Sequence, residues 1–288
     1  MPERKRQDRK GKFMILDTIV KATRQRVDKA KELLPLEELK EKIYGVEGVN
    51  SFHKRNVFAF ERALKKHNSL LKEDNAIAVI CEVKKASPSK GVIAESFPYL
   101  SIAKDYVEAG ADAISVLTEP DFFMGDNRYL NEISKGVSIP VLRKDFIIEE
   151  YQIYEAKLIG ADAILLICSL LETRTLQRYL KICDELGLSA LVEAHTEMEI
   201  LSAIRAGARV IGVNNRNLKT FDVDISNSLY LRKYVPEEII FVAESGIRSA
   251  MDIAMLSRAG VDAVLIGETL MRSSNKKDEL AKLRGLLP

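Results

Sequence analysis

Charged and polar residues follow short apolar runs at several points along the chain. Glu82 and Lys84 come at the end of the first such run, residues 78–81. The same arrangement recurs at Lys144, Glu193, Asn214 and the pair Glu244 and Ser245. Carboxylate and ammonium groups are costly to bury without partners. Their placement at the carboxyl ends of successive parallel strands predicts that they gather in one polar site, which is the layout of a (β/α)8-barrel enzyme.

The pair Glu82 and Lys84 illustrates how a strand would position this chemistry. The two residues are two positions apart, so both side chains point to the same face of a strand. Inside a barrel they can form an ion pair and still reach a ligand, with residues 87–91 (SPSKG) as a polar loop beside them. The alternative is a structural ion pair and an ordinary turn, which the other charged groups expected at the same level make less attractive.

A five-residue repeat indicates the fold. The motif GADAI at 110–114 recurs at 160–164, with weaker copies at 207–211 and 260–264. The glycine ends a helix in the left-handed conformation, and the apolar residues that follow form a strand buried on both faces. Eight strands are predicted in this way, at residues 77–84, 113–117, 139–144, 163–167, 189–193, 210–214, 239–244 and 262–266. Helical periodicity between them predicts an α/β fold, a (β/α)8 TIM barrel.

The first 75 residues do not follow this rhythm. Their apolar spacing predicts three helices, at residues 15–34, 36–43 and 57–66. We predict a basic, flexible N-terminus over 1–13, a helical extension over 14–75 that packs on the barrel, and the barrel itself over 76–288, all in one structural domain. The alternative for the extension is a separate interaction domain, but it is small for an independent core.

Composition and charge restrict the class of protein. The net charge is +2, and residues 1–12 hold six Lys/Arg and two Asp/Glu, a net of +4, which leaves −2 for the remainder. The body therefore lacks the basic excess of a nucleic-acid binder, and we expect the basic tip to be a solvated end. No apolar run approaches the roughly 20 residues of a membrane span. The start lacks a signal-peptide core, so a cytoplasmic protein is expected.

The three cysteines, Cys81, Cys168 and Cys183, lack the spacing of a metal site or a disulfide framework. We expect buried free thiols in a reducing compartment. If Glu82 faces the barrel interior, the strand alternation turns Cys81 toward the helices.

Two glycine-containing turns suggest an anion site. Ser245 and Gly246 follow the seventh predicted strand, and Gly267 and Glu268 follow the eighth. Backbone N–H groups at these two positions of a (β/α)8 barrel bind phosphate in many enzymes. The carboxylate of Glu268 would repel an anion, so its amide is the expected donor.

Several segments together carry a resemblance to a known family. Residues 82–91 (EVKKASPSKG) resemble the signature of indole-3-glycerol phosphate synthase, an enzyme family of tryptophan biosynthesis. Further segments resemble the family in order: SVLTE at 115–119, FFMG at 122–125, PVLRKDF at 140–146, LVE at 191–193, IGVNNRNL at 211–218, VAESGI at 242–247 and LIGETLM at 265–271. The resemblance extends from about Met14 to Met271 and includes the helical prelude.

The resemblance implies a carbon–carbon lyase that closes the indole ring. The substrate would be 1-(2-carboxyphenylamino)-1-deoxyribulose 5-phosphate, and the reaction would release carbon dioxide and water. Neither an organic cofactor nor a metal is implied. As partners we expect this phosphorylated small molecule but no nucleic acid and no membrane, with the chain a monomer or a weak homo-oligomer.

The resemblance also assigns catalytic roles. Lys144 matches the general acid toward the ketone oxygen, and we expect nearby Lys84 to lower its pKa by charge repulsion. Lys84 matches the group that binds the substrate carboxylate and donates a proton during dehydration. Glu193 matches the base of the later steps. Glu82 matches a catalytic glutamate that positions the lysines, and Asn214 matches a polar group near the reacting hydroxyl.

Substrate contacts are expected from Ser87, Phe123, Phe146 and Ser245. Arg216 is a further candidate for contact with an anionic group, and a purely structural role is its alternative. Phe122 fits the family less well than Phe123, and core packing is the alternative for each phenylalanine. Met124 replaces the polar residue expected in that loop. His195 follows Glu193 by two residues, but the motif does not require it, and we expect a polar strand-end residue.

Three alternatives remain at this stage. Another phosphosugar barrel, such as a ketose-forming isomerase, would keep the phosphate turns but use a different acid–base pair. A catalytically inactive barrel scaffold would have no need of the ionisable residues. A nucleic-acid binder would act through residues 1–12, and removal of that segment would leave the activity of an enzyme intact.

Overall fold

Eight parallel strands form a closed barrel, as the repeat predicts. The computed structural model describes the backbone of residues 3–45, 57–70, 77–217 and 220–287, and the side chains there except in residues 3–14 and 66–70. The barrel strands are β1 (Ala78–Val83), β4 (Ala113–Leu117), β5 (Val141–Lys144), β6 (Ala163–Ile167), β7 (Ser189–Ala194), β8 (Val210–Asn214), β9 (Ile240–Glu244) and β10 (Ala263–Ile266). Each pairs in parallel with its sequence neighbour, and β10 closes on β1. The short strands β2 (Ala86–Ser87) and β3 (Gly91–Val92) form an antiparallel hairpin after β1.

The helices within the described residues cover the outside of the barrel and its ends. They are α1 (Glu3–Leu33), α2 (Leu36–Tyr44), α3 (Ala59–Leu70), α4 (Tyr99–Glu108), α5 (Pro120–Phe123), α6 (Asn127–Gly136), α7 (Tyr151–Leu158), α8 (Thr173–Leu186), α9 (Glu197–Ala206), α10 (Ser226–Arg232), α11 (Ala250–Arg258), α12 (Glu268–Arg272) and α13 (Lys276–Leu283). The eight predicted strands and the (β/α)8 TIM barrel with N-terminal helices are therefore confirmed.

The repeated glycines end helices as expected. Gly110, Gly160, Gly207 and Gly260 have φ angles of 88°, 93°, 91° and 78°, a conformation that side chains with a β-carbon disfavour. Each lies three residues before the first residue of a barrel strand, so one short turn reverses the chain from helix to strand.

Strand alternation divides the core into two layers. Ile80, Leu142 and Leu191 point into the barrel, whereas Cys81, Ile114 and Val192 point toward the helices. Full burial of each Leu or Ile side chain contributes about 1.5–3 kcal/mol. Cys81 thus lies in the outer layer, as the alternation predicts, and Glu82 falls on the interior face above Ile80.

The N-terminal helices contact both ends of the barrel. Ile15, Leu16 and Ile19 of α1 lie over the carboxyl ends of the strands, while Phe60 and Leu64 of α3 fill the amino end. The hydroxyl of a tyrosine in α7, Tyr151, also donates to the backbone at the end of α1. The predicted boundary near residue 75, the side chains of residues 1–12 and Leu218 lie outside the described residues, so the domain boundaries stay predictions.

Candidate active site

The structure brings Glu82, Lys84, Lys144, Glu193 and Asn214 together around one chamber. All five lie at or just after the carboxyl ends of β1, β5, β7 and β8. The chamber has a volume of about 150 Å³, and apolar residues of α1 form part of its wall. Charged groups in such a partly apolar enclosure interact more strongly than in water.

The first charged unit is the ion pair between Lys84 and Glu82. The Lys84 ammonium donates to Glu82 Oε1, and both side chains are largely buried, with exposed fractions of 17% and 5%. Gly267 on the neighbouring turn makes this arrangement possible. A β-carbon at position 267 would overlap Glu82 Oε1 and lie 3.0 Å from Lys84 Nζ.

The second charged unit has Lys144 between two carboxylates. Lys144 Nζ lies 3.1 Å from Glu193 Oε2 and also donates to Glu244 Oε2. All three side chains are at most 13% exposed, so each charge depends on its partner for solvation. Gly212 on β8 provides the space, because a β-carbon there would overlap Glu244 Oε1.

The pKa values of this unit are shifted in different directions. Burial alone would lower the pKa of Lys144, but the charges of Glu244 and Glu193 outweigh it and the pKa is raised. The expectation that Lys84 lowers this pKa is therefore wrong, because two carboxylates are closer. Burial likewise opposes ionisation of Glu193, yet Lys144 and His195 hold its pKa below the ordinary value. Burial raises the pKa of Glu244 to about 7 against the pull of Lys144.

These shifts define the chemistry that the unit can perform. Near neutral pH, Lys144 is an ammonium that can donate a proton, and Glu193 is a carboxylate that can accept one. The two shifts are those of a buried ion pair, in which each partner holds the other in its charged form.

The sequence pattern includes Glu244 among the strand-end residues but gave it no role in the site. The signal was present, because Glu244 ends an apolar strand in the same way as Glu193. Val242 on the same strand points into the barrel, and alternation places Glu244 on that face.

The predicted substrate contacts divide between two cavities. Ser87, Phe123, Phe146 and Arg216 line the chamber, with the two phenylalanine ring centroids 6.0 Å apart. Ser245 lies instead in a neighbouring hollow. Phe122 and Met124, in the segment after β4, do not line either cavity. Phe122 lines a separate surface depression, and Met124 follows α5 with a φ of 53° and is 40% exposed.

The neighbouring hollow contains the predicted phosphate turns. Its volume is about 400 Å³, and it is lined by Ser245, Gly246, Gly267 and Glu268 together with Lys90, Arg248 and Arg272. The Glu268 carboxylate lies 3.5 Å from Lys90 and 3.1 Å from Arg272, so these cations engage it. Lys84 and Arg216 line both the hollow and the chamber, so the two cavities adjoin.

A buried network fixes the end of β5 beside Lys144. Arg143 is 1% exposed and points away from the chamber toward Asp145 at 3.2 Å and Glu155 at 2.6 Å. Asp145 in turn accepts a hydrogen bond of 2.8 Å from Arg26 of α1. The N-terminal helix is thereby tied to the residue that follows Lys144, a connection with no sequence signal.

The fold and this site are those of a (β/α)8-barrel enzyme, with buried lysine and glutamate side chains beside a hollow lined by Lys90, Arg248 and Arg272. Comparison with known proteins makes the class more specific. The family model described as indole-3-glycerol phosphate synthase matches residues 16–283. The chain belongs to the indole-3-glycerol phosphate synthase family.

Two similar relatives cover almost the whole chain. An indole-3-glycerol phosphate synthase of Ruminiclostridium cellulolyticum is 58% identical over 272 residues, which are 94% of this chain and 99% of the relative. Another, of Lachnoclostridium phytofermentans, is 52% identical and covers 95% of this chain and 100% of the relative.

Among solved structures, a 3-hexulose-6-phosphate synthase superposes with a TM-score of 0.61 at 14% identity, over 74% of this chain and 100% of that one. That likeness concerns the barrel fold alone. Within the described ranges, no helix has the length and apolar character needed to cross a membrane. The same part of the chain contains no cluster of three His, Cys, Asp or Glu side chains that could hold a metal ion.

Proposed function

We propose that this chain converts 1-(2-carboxyphenylamino)-1-deoxyribulose 5-phosphate to indole-3-glycerol phosphate, with loss of carbon dioxide and water. It is a carbon–carbon lyase of tryptophan biosynthesis. Membership of the family supports the reaction. The observation that carries the mechanism is the position of Lys144 between Glu193 and Glu244, because it holds an ammonium donor beside an ionised base.

Ring closure is the step for Lys144. A carbon of the substrate's aromatic ring attacks the ketone carbon, and the ketone oxygen takes a proton from the Lys144 ammonium to become a hydroxyl. An ammonium is a weak acid, so its contribution depends on stabilising the charge that develops on the oxygen. Carbon dioxide then leaves from the ring carbon that carried the carboxylate, which restores aromaticity.

Dehydration is the step for Glu193 and Lys84. The hydroxyl leaves as water after taking a proton from Lys84, and Glu193 removes the proton that is lost with it. Glu82 holds Lys84 in place through their ion pair. Asn214 hydrogen-bonds Glu193 and supports its ionised form near the reacting hydroxyl.

Substrate binding follows from the two adjoining cavities. The aromatic ring lies in the chamber against Phe123 and Phe146, and Ser87 and Arg216 contact the polar groups of the substrate. The phosphate lies in the hollow against Ser245 and the backbone of Gly246, Gly267 and Glu268. Lys84 lies at the junction, where it reaches the substrate carboxylate.

The reaction can be followed directly. Purified protein is mixed with the substrate, and indole fluorescence is recorded while mass spectrometry detects loss of carbon dioxide and water. The chain has no tryptophan, so its own emission leaves the indole signal clear. We expect product from the parent protein. A folded protein that forms none would favour the isomerase or the scaffold reading instead.

We also propose that the enzyme is cytoplasmic and is a monomer or a weak homo-oligomer. Cys81 and Cys183 are buried free thiols, which fits a reducing compartment. Light scattering coupled to size-exclusion chromatography tests the assembly, and a stable dimer at micromolar concentration would contradict it.

A further inference from the structure

His195 contacts Glu193, the proposed base, and also lines a cavity that is distinct from the chamber and the hollow. This cavity is called the second cavity below. His195 Nε2 lies 3.6 Å from Glu193 Oε1, and His195 Nδ1 lies 3.5 Å from Glu199 Oε2. The two contacts are on opposite sides of the ring, so the imidazole separates the two carboxylates. His195 is not part of the chamber wall, whereas it does line the second cavity.

Both ring nitrogens of His195 are buried and have no hydrogen-bond partner. The distances of 3.5 and 3.6 Å are longer than hydrogen bonds, and a shift of under 1 Å would bring either carboxylate into range. Catalytic hydrogen bonds are often long before the substrate binds. A buried polar ring whose nitrogens make no hydrogen bond is destabilising, so its presence calls for an explanation.

The second cavity gives Glu199 a route to solvent. Its volume is about 770 Å³, and it is lined by polar and acidic side chains, including Asp17, Asp222 and Asp224, with no Lys or Arg among its described residues. The Glu199 side chain is 23% exposed there. The backbone N–H of His195 donates to Glu199 Oε2 at 2.6 Å and holds this carboxylate next to the ring.

His195 gives Glu193 a proton acceptor other than Lys144. Glu193 is 4% exposed and Asn214 has no basic group, while Lys144 can accept a proton from Glu193 only after it has given its own to the ketone oxygen. A base that removes a proton in each turnover has to release it before the next one. Among the described residues that contact Glu193, His195 is the one besides Lys144 with a nitrogen that can accept a proton.

We propose that His195 relays the proton from Glu193 to Glu199 and the second cavity. The protonated Glu193 gives its Oε1 proton to His195 Nε2, and the imidazolium gives its Nδ1 proton to Glu199 Oε2, which releases it to solvent. One proton enters the ring at Nε2 and a second leaves from Nδ1, so His195 is left as its Nε2–H tautomer. Proton exchange with water in the second cavity returns the ring to its Nδ1–H form before the next turnover. His195 is a positioning residue that acts through Glu193, and this inference rests on the function proposed above for that glutamate.

The charges around His195 set the pH range of the relay. Burial alone would lower the pKa of His195, but Glu199 and Glu193, with a smaller effect from Glu244, raise it above 6.5. The ring accepts a proton from Glu193 in its neutral form. The kcat of the parent should therefore rise with pH through a limb above 6.5, and that limb should be absent when His195 is replaced.

The test measures the kcat of His195→Ala alone and with added imidazole or pyrazole, two rings of equal size. We expect kcat to fall about ten- to a hundredfold at unchanged KM. Imidazole should restore it, whereas pyrazole, which stays unprotonated in this pH range, should not. His195→Gln keeps the site filled and should show the same loss without the acid limb, which covers the case that the alanine variant does not fold.

Two results would overturn the relay. One is an unchanged kcat and pH profile in His195→Gln, and the other is equal rescue of His195→Ala by both rings, which would mean that the ring only fills space. In both cases the parent still forms product, so the proposed reaction stands. A parent protein without product would instead remove the proposed function itself.

Discussion

Carboxylates lie at both ends of the barrel strands, and they have different partners. At the amino ends, Asp112, Asp162 and Asp262 accept backbone N–H bonds from Val79, Val141 and Phe241 at 2.9, 2.8 and 2.7 Å. At the carboxyl ends, Glu82, Glu193 and Glu244 bind lysine ammonium groups. A backbone amide cannot give up its proton at neutral pH, but a lysine can. The first set therefore fixes strands, and the second can exchange protons with a substrate.

The repeat shows one informative exception at the amino end. In the copy at 207–211, the aspartate position holds Arg209, whose guanidinium forms two bonds of 2.9 and 3.0 Å with Glu61 of α3. The same motif position that elsewhere fixes a neighbouring strand here fixes the helix that fills the barrel end. All of these contacts at the amino ends of the strands therefore stabilise the fold.

The strongest test of this division compares one acid from each end. Glu193→Gln keeps an acceptor for Lys144 but loses the proposed base, so we expect kcat to fall about 10²–10⁴-fold. Asp162→Asn should leave kcat unchanged. Steady-state kinetics of the two folded variants checks this, and equal losses would contradict the division.

Two glycines offer the next largest contrast. Gly267→Ala has a permitted backbone, with φ −117°, but its β-carbon would displace Glu82 and Lys84. We expect kcat/KM to fall by up to about a hundredfold, because small displacements of positioned groups are costly. Gly207→Ala meets no atom within 4 Å and strains only the backbone, whose φ is 91°. It should lower the melting temperature at normal kcat/KM, and a large activity loss there would be contrary to this account.

Removal of an amino-end carboxylate should change stability alone. Asp162→Ala leaves the buried Val141 N–H without this acceptor, and we expect the free energy of unfolding to fall by about 1–3 kcal/mol. Urea unfolding measures the change. A variant as stable as the parent would show that these carboxylates do not fix the strands.

A further prediction is the pH dependence of stability contributed by Glu244. Its pKa is about 7 in the folded chain and 4.5 in the ordinary carboxyl, so the native state binds the proton more tightly. Its contribution to stability is complete below pH 4.5 and is lost as the pH rises to about 7. Urea unfolding of the parent should show this decline relative to Glu244→Gln. Parallel pH profiles for the two proteins would refute the shifted pKa.

The sequence predicted the barrel well because its signal is local. Each GADAI-like copy combines a glycine that ends a helix with a strand of apolar residues, and period-2 alternation then turns Glu82 inward and Cys81 outward. The same rule also gave the strand-end residues Lys144 and Glu193.

The features of the site that the sequence did not predict depend on contacts between segments far apart along the chain. The raised pKa of Lys144 follows from Glu244, which is 100 residues away along the chain. The bond between Arg26 and Asp145 joins segments 119 residues apart. Spacing along one strand predicts which face a side chain takes, but it does not predict which neighbour is nearest across the barrel.

The most direct test of the central claim compares two buried lysines. Lys144 lies between the carboxylates at the carboxyl end, whereas Lys157 of α7 donates to the backbone carbonyl of Leu186 outside the site. Indole formation by Lys144→Ala and Lys157→Ala is measured beside circular dichroism and thermal unfolding. The account predicts two folded proteins, of which only the Lys144 variant loses product formation. Full activity in a folded Lys144→Ala would contradict it.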